Sequence, residues 1–273
     1  MAHTVIYTCS LGGYDWLHRP LAPTPGAAFL RFSDHACRRQ SPWVHSPVPQ
    51  EATAATRRLL SRYPKIMAHR VLPGTVGRDA DVSVWIDSSV LVLDDITPLL
   101  DRFRSSGADM ALFRHPSGRT VSEELDFALT VKKRGVDASD RAEAQRARYG
   151  AADLLSVPVF EATILFRRTD SAPVTAAMER WWHEVSTLTE RDQVSLPYAL
   201  RDQGCSIMEW DWHFDDPGCR WFRRIPHRPK TLRKRLVAGA HFLGDHRPEY
   251  RVARSIIRTG GRLRRSLHKA LGR

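Results

Sequence analysis

Cysteine is scarce here and never paired. Cys9, Cys37, Cys205 and Cys219 are scattered through 273 residues, and no Cys-x-x-Cys occurs. That spacing offers no zinc site, and a reducing cytoplasm is the expected compartment. Long apolar runs are also missing, so no segment of the sequence spans a bilayer. No basic stretch followed by a long apolar run opens the chain, so no signal peptide is expected. Internal repeats and low-complexity linkers are absent too. Finally, the end of the chain lacks acids. From Arg220 onward, 17 Lys/Arg meet only Asp245 and Glu249, whereas Met1–Cys219 carries 25 bases and 28 acids. The whole net charge of +12 therefore belongs to the tail. Charge so confined argues against a nucleic-acid-binding core. It describes a basic arm (220–273) on a nearly neutral, enzyme-like body (1–219).

With 42% apolar residues, that body can bury a sizeable core. Its centre is Val82–Leu100, VSVWIDSSVLVLDDITPLL. Val82–Ile86 alternates and is β-branched, which predicts a buried strand. The strand stops at Asp87, followed by Ser88 and Ser89. In an open α/β sheet, ligands sit beyond the carboxyl ends of the strands. Asp87 therefore either holds a cation or a sugar hydroxyl, or simply caps a turn. Asp94 and Asp95 precede a helix that starts near Thr97-Pro98, with acids at its positive end.

The rest of the body alternates in the same way. Thr4–Cys9 predicts a strand that runs into Gly12-Gly13-Tyr14-Asp15, where glycine permits close approach to a ligand or merely a turn. Ala27–Phe32 is a second strand, ending at Ser33-Asp34. Trp43–Pro49 reads as irregular, and Glu51–Tyr63 as a helix. Arg62, Lys65 and His69 gather cation-capable groups before the central strand, as a diphosphate requires; a solvated basic helix end is the commoner origin of such a cluster. Asp109–Phe113 is a strand, and Thr120–Lys133 and Ser139–Tyr149 are helices. Glu161 precedes a strand at Thr163–Phe166. Pro173–Leu188 is a helix whose core stripe is Met178, Trp181, Trp182 and Val185. Arg191-Asp192-Gln193 opens another, running to Leu200.

Seven motifs in order carry a resemblance. They are YTCSLGGYD (Tyr7–Asp15), FSD (Phe32–Asp34), RYPKIMAHRVLP (Arg62–Pro73), VWIDSSVLV (Val84–Val92), HPSGR (His115–Arg119) with Glu123-Glu124, Glu161 before its strand, and RDQVSLPYAL (Arg191–Leu200). Together they resemble the glycosyltransferase-like family once catalogued as domain of unknown function 616, which includes plant mucilage-type glycosyltransferases. A more distant similarity is to glycosyltransferase family 8. There two aspartates stand one residue apart where Asp87 and Ser89 stand here, and a late His-Phe-x-Gly resembles His241–Gly244.

The resemblance implies an α/β, GT-A-like single nucleotide-sugar-binding domain: a mixed, mostly parallel sheet flanked by helices, with the basic helical tail appended. It implies a hexosyltransferase-type glycosyltransferase of polysaccharide biosynthesis. The sugar would pass from a nucleoside-diphosphate donor, UDP-sugar favoured, to a glycan or lipid-linked hydroxyl. The alternative is a non-catalytic nucleotide- or glycan-binding descendant. Donor contacts would come from Gly13, Tyr14, Asp15, Asp34, Arg62, Lys65, His69, Asp87, Ser89, His115, Arg119 and Glu123. A Mn²⁺ or Mg²⁺ ion would sit on Asp87 and His241. Asp192 is the first choice of base, Glu161 the second, with Gln193 beside them. The tail's amphipathic spacing suits an anionic membrane surface, so the expected location is cytoplasmic, at the inner face of the membrane.

Overall fold

Six strands of one sheet run the same way and a seventh runs against them. The computed structural model describes residues 3–13, 15, 18–34, 42–49, 56–131, 136–225 and 227. The strands are β1 (Thr4–Cys9), β2 (Ala27–Phe32), β3 (Trp43–Ser46), β4 (Val82–Ile86), β5 (Val90–Val92), β6 (Met110–Arg114), β7 (Phe160–Arg168), β8 (Ile207–Trp210) and β9 (Phe222–Arg224). The helices are α1 (Arg57–Ile66), α2 (Ala68–Val71), α3 (Thr97–Ser106), α4 (Val121–Val131), α5 (Val136–Gly150), α6 (Ala172–Thr187) and α7 (Asp192–Leu200). The main sheet has the order β3-β2-β1-β4-β7-β6-β8, and β5 pairs with β9 in a small second sheet. Only β7 is antiparallel to its neighbours, β4 and β6. This is the α/β, GT-A-like architecture that the resemblance implies: mixed, mostly parallel, with helices on both faces.

Alternation along the strands builds the two faces. Val5, Tyr7 and Cys9 of β1 pack with Leu59, Tyr63 and Ile66 of α1 and with Met178, Trp181 and Val185 of α6. Ile6, between them, joins Val84 and Ile86 of β4 and Leu99, Leu100 and Phe103 of α3 on the other face. Side chains two residues apart share a face, so one β-branched run supplies both cores. Of the expected α6 stripe, Met178, Trp181 and Val185 are buried, and Trp182 is partly buried, packed edge-on against Tyr63.

Gly77 shows how tightly the first layer closes. A Cβ there would meet Val5 Cγ2 at 2.8 Å. Val5 is fully buried and stiff about χ1, so it cannot swing away. Gly77→Ala should therefore destabilise by about 1–3 kcal/mol through overpacking. A urea midpoint unchanged from wild type would show that the loop shifts freely.

The structure corrects three expectations. Trp43–Ser46, read as irregular, is the edge strand β3, hydrogen-bonded to β2. Its prolines, Pro42, Pro47 and Pro49, flank the ladder rather than interrupt it. The helix expected from Glu51 starts at Arg57, where the Thr56 hydroxyl accepts from Leu59 N; residues 50–55 lie outside the described residues. The body does not stop at Cys219. Phe222 is buried, and β9 pairs with β5. Arg220 reaches Asp94 at 2.7 Å and Arg224 reaches Asp215 at 3.1 Å. Counting bases had assigned these arginines to the tail, yet acids of the body neutralise them. The rest of the tail, His241 included, lies outside the described residues. Among the described residues, no helix is long and apolar enough to cross a membrane.

Candidate active site

A cleft of about 890 Å³ opens where β1, β4 and β6 end and β7 begins. Because β7 is reversed, its first residues arrive at the same edge as the last residues of its neighbours. Phe113 pairs with Glu161, and Asp87 N donates to Thr163 O at 2.9 Å. The cleft thereby gathers Asp87, Ser88 and Ser89 after β4, His115 after β6, and Glu161 and Thr163 from β7.

Helix α1 forms one wall. Arg58, Arg62 and Lys65 fall four and three residues apart, so one helical face points all three into the cleft. Helix α7 faces it with Asp192 and Gln193, preceded by Arg191. The two walls are joined by charge. Lys65 Nζ lies 2.6 Å from Asp192 Oδ2, and Arg62 lies 3.3 Å from Asp192 Oδ1. Lys65 Nζ is also 3.6 Å from Asp87 Oδ1, which accepts from Trp85 Nε1 at 2.7 Å.

The electrostatics differ sharply between the two aspartates. Burial would raise the Asp192 pKa, but Arg62 and Lys65 outweigh it and hold the carboxyl far below the usual range. Asp87 is pushed the other way. Its depth raises its pKa, Asp192 and Glu161 add to the rise, and Lys65 and Trp85 oppose it. The carboxylate is deep but not sealed: 36% of its side chain faces the cleft, which limits that rise. Burial, and then neighbouring Arg62, pull the Arg58 guanidinium down to about 10. Among the described residues no ion pair joins a carboxylate to Arg57 or Arg58, although Asp192 and Glu190 act on Arg58 from farther away.

Asp192 lies in the cleft, but the base first chosen for it does not fit its surroundings. A carboxylate held by two cations has little affinity for a proton. Glu161 also lines the cleft. It is buried, takes a hydrogen bond from the Thr163 hydroxyl, and lies 3.9 Å from His115 Nε2 and 3.7 Å from Arg224. Burial lowers the His115 pKa, and the neighbouring carboxylates Glu161 and Glu124 oppose that shift.

Other expected donor residues are placed differently. Asp15 lines the cleft, bonded to Ser88 Oγ and His227 Nδ1 at 2.5 Å each. Ser89 lines it too, and its carbonyl accepts from Ile225 N at 2.7 Å. Asp34 stands behind the wall and accepts from Gly12 N at 2.9 Å. Gly12 has φ +63°, a backbone conformation that favours glycine, and Arg57 Nη1 lies close over it. Gly13 is exposed, with φ 62°. Tyr14 lies outside the described residues.

Three expected donor residues are turned elsewhere. His69 bonds Glu179 of α6 at 2.8 Å, because α1 breaks at Met67 and α2 starts on a new axis. Glu123 accepts from Thr120 N, a capping box that serves its own helix. Arg119 pairs with fully buried Glu124, which also holds Arg191 at 2.5 Å. The reading from sequence missed Arg57, Arg58, Ser88, Thr163, Arg224 and His227 as lining residues. Helical spacing before Lys65 was the signal for Arg58; nothing in the sequence pointed to Arg224 or His227.

A divalent cation is poorly served by these groups. The nearer oxygen of Asp87 is already engaged by Trp85, and an ammonium stands 3.6 Å away. Ser89 is neutral where a second carboxylate would be needed. Among the described residues no three His, Cys, Asp or Glu side chains converge as a metal site.

No curated protein sequence matches the chain. Among solved structures, mouse xyloside xylosyltransferase 1 in its apo form aligns over 77% of this chain and 85% of its own, with 10% sequence identity and a TM-score of 0.45. The profile of the TOD1/MUCI70 glycosyltransferase-like domain matches residues 48–210, which takes in α1, the central strand, β7 and α7. That match spans more than half of the sequence, and the chain belongs to the TOD1/MUCI70 glycosyltransferase-like family.

Proposed function

We propose that the chain transfers a hexose-type sugar from a nucleoside-diphosphate donor, UDP-sugar favoured, to the hydroxyl of a glycan or lipid-linked acceptor. The observation that carries this reading is the polarity of the cleft. One wall presents Arg57, Arg58, Arg62 and Lys65 from α1, and the start of β7 presents Glu161. A leaving diphosphate needs the first and an attacking hydroxyl needs the second. In the reaction, the bond from the anomeric carbon to the phosphate oxygen breaks and its electron pair stays with the diphosphate. The acceptor oxygen bonds to the anomeric carbon, and its proton passes to Glu161. The basic tail, in this reading, holds the enzyme at an anionic membrane where a lipid-linked acceptor resides.

A screen of sugar nucleotides tests the proposal, reading nucleoside-diphosphate release with and without acceptor glycans. Release by one donor, accelerated by acceptor, is the expected result. Binding without release would support the non-catalytic alternative, and no binding of any sugar nucleotide would remove the donor reading.

A further inference from the structure

We propose that Lys65 is the built-in counter-cation of this cleft and stabilises the leaving diphosphate in place of a divalent metal ion. The inference rests on the sugar-nucleotide reading and deepens it. Lys65 Nζ bridges the carboxylates that a cation would use, at 2.6 Å from Asp192 and 3.6 Å from Asp87. Only 4% of Lys65 is exposed. Its ammonium sits between the two carboxylates and near the rings of Trp85 and Trp181, at 6.0 and 5.9 Å, and its backbone is held as well. The Lys65 carbonyl accepts from the buried guanidinium of Arg167 at 2.8 Å and from the Tyr7 hydroxyl at 3.4 Å.

Charge accounting points the same way. The lining holds six Lys/Arg against four Asp/Glu. A divalent ion would add two positive charges beside an ammonium already in place, and like charges so close in a poorly solvated site repel strongly. Ser89 removes the carboxylate that would offset them, and its carbonyl is committed to Ile225 N. During transfer, the bond from the anomeric carbon to the phosphate oxygen breaks, and the charge left on that oxygen meets Lys65 and Arg58. The acceptor oxygen takes the anomeric carbon, and its proton goes to Glu161. Every charge in this step is met by a side chain of the protein.

The test compares full-length wild type with Lys65→Ala and the closer isostere Lys65→Met, all freed of metal with chelator. Mn²⁺ is titrated without nucleotide and followed by electron paramagnetic resonance. Wild type is expected to leave Mn²⁺ free, whereas both variants bind it, because Asp87 and Asp192 then face each other without a cation between them. UDP is next titrated by calorimetry. Wild type should bind equally in chelator and in Mn²⁺, and the variants in chelator should bind roughly 10- to 150-fold more weakly, the span of a lost charged hydrogen bond. Mn²⁺ should recover part of that loss. Stoichiometric Mn²⁺ binding by wild type, or wild-type UDP binding that needs Mn²⁺, overturns the proposal. If UDP binds in no arm, the sugar-nucleotide reading fails, and the resonance contrast still decides whether Lys65 holds the cation position.

Discussion

Asp192→Asn is expected to fold and to lose donor turnover by about 10²–10³-fold, the usual cost of removing one preorganised electrostatic group. The amide keeps the shape of the carboxylate but not its charge. Lys65 and Arg62, now held at 2.6 and 3.3 Å, would then share no anion. Both would drift towards Asp87 and the open cleft, away from where the diphosphate leaves. The same substitution should reshape acid stability. The Asp192 pKa is depressed on folding. Its contribution is therefore complete above the unfolded aspartate value of about 3.9 and is lost as pH falls below it. Wild type should be the more stable at neutral pH, and the gap to Asp192→Asn should narrow below about pH 4. Thermal unfolding at stepped pH checks this. Parallel curves for the two proteins across the acid range would mean that the ion pairs contribute nothing.

Glu161→Gln should separate the two halves of the reaction. Glu161 touches Thr163, His115 and Arg224, none of which belongs to α1. Nucleotide affinity should be unchanged. Transfer to acceptor should fall by about 10²–10⁴-fold, the range for losing a general base. Initial rates at saturating donor, with acceptor varied, give the answer. Wild-type transfer by the variant would shift the proton to the departing phosphate itself.

Much of the sheet was legible because β1 and β4 are β-branched and β2 is a short apolar run that stops at a polar pair, Ser33-Asp34. Val82–Ile86, Thr4–Cys9 and Ala27–Phe32 were all read at their observed bounds. Edge strands were not. β3 has four residues between prolines and only partly buried side chains, and β8 is equally short. In such strands sheet neighbours, rather than pattern, decide the conformation. The cleft followed the same division. Lys65, Asp87, Glu161 and Asp192 stood out because each sits at a strand or helix end. Their pairing did not, because Lys65 and Asp192 are 127 residues apart and only the fold brings them together. His69 was misplaced by adjacency to Lys65: four residues keep two side chains on one face only while a helix is unbroken, and this one breaks at Met67.

The pairing of β5 with β9 has a consequence for how the enzyme is made. Synthesis runs from the N-terminus, and domains fold as they emerge from the ribosome. Val90–Val92 is translated well over a hundred residues before Phe222–Arg224, its sheet partner. Until that partner arrives, Val90, Leu91 and Val92 present an unpaired, apolar edge, the kind that invites association with other nascent chains. The same late segment delivers Arg224, Ile225 and His227 to the cleft. A chain cut before residue 222 would thus lack both its cover and one border of its cleft.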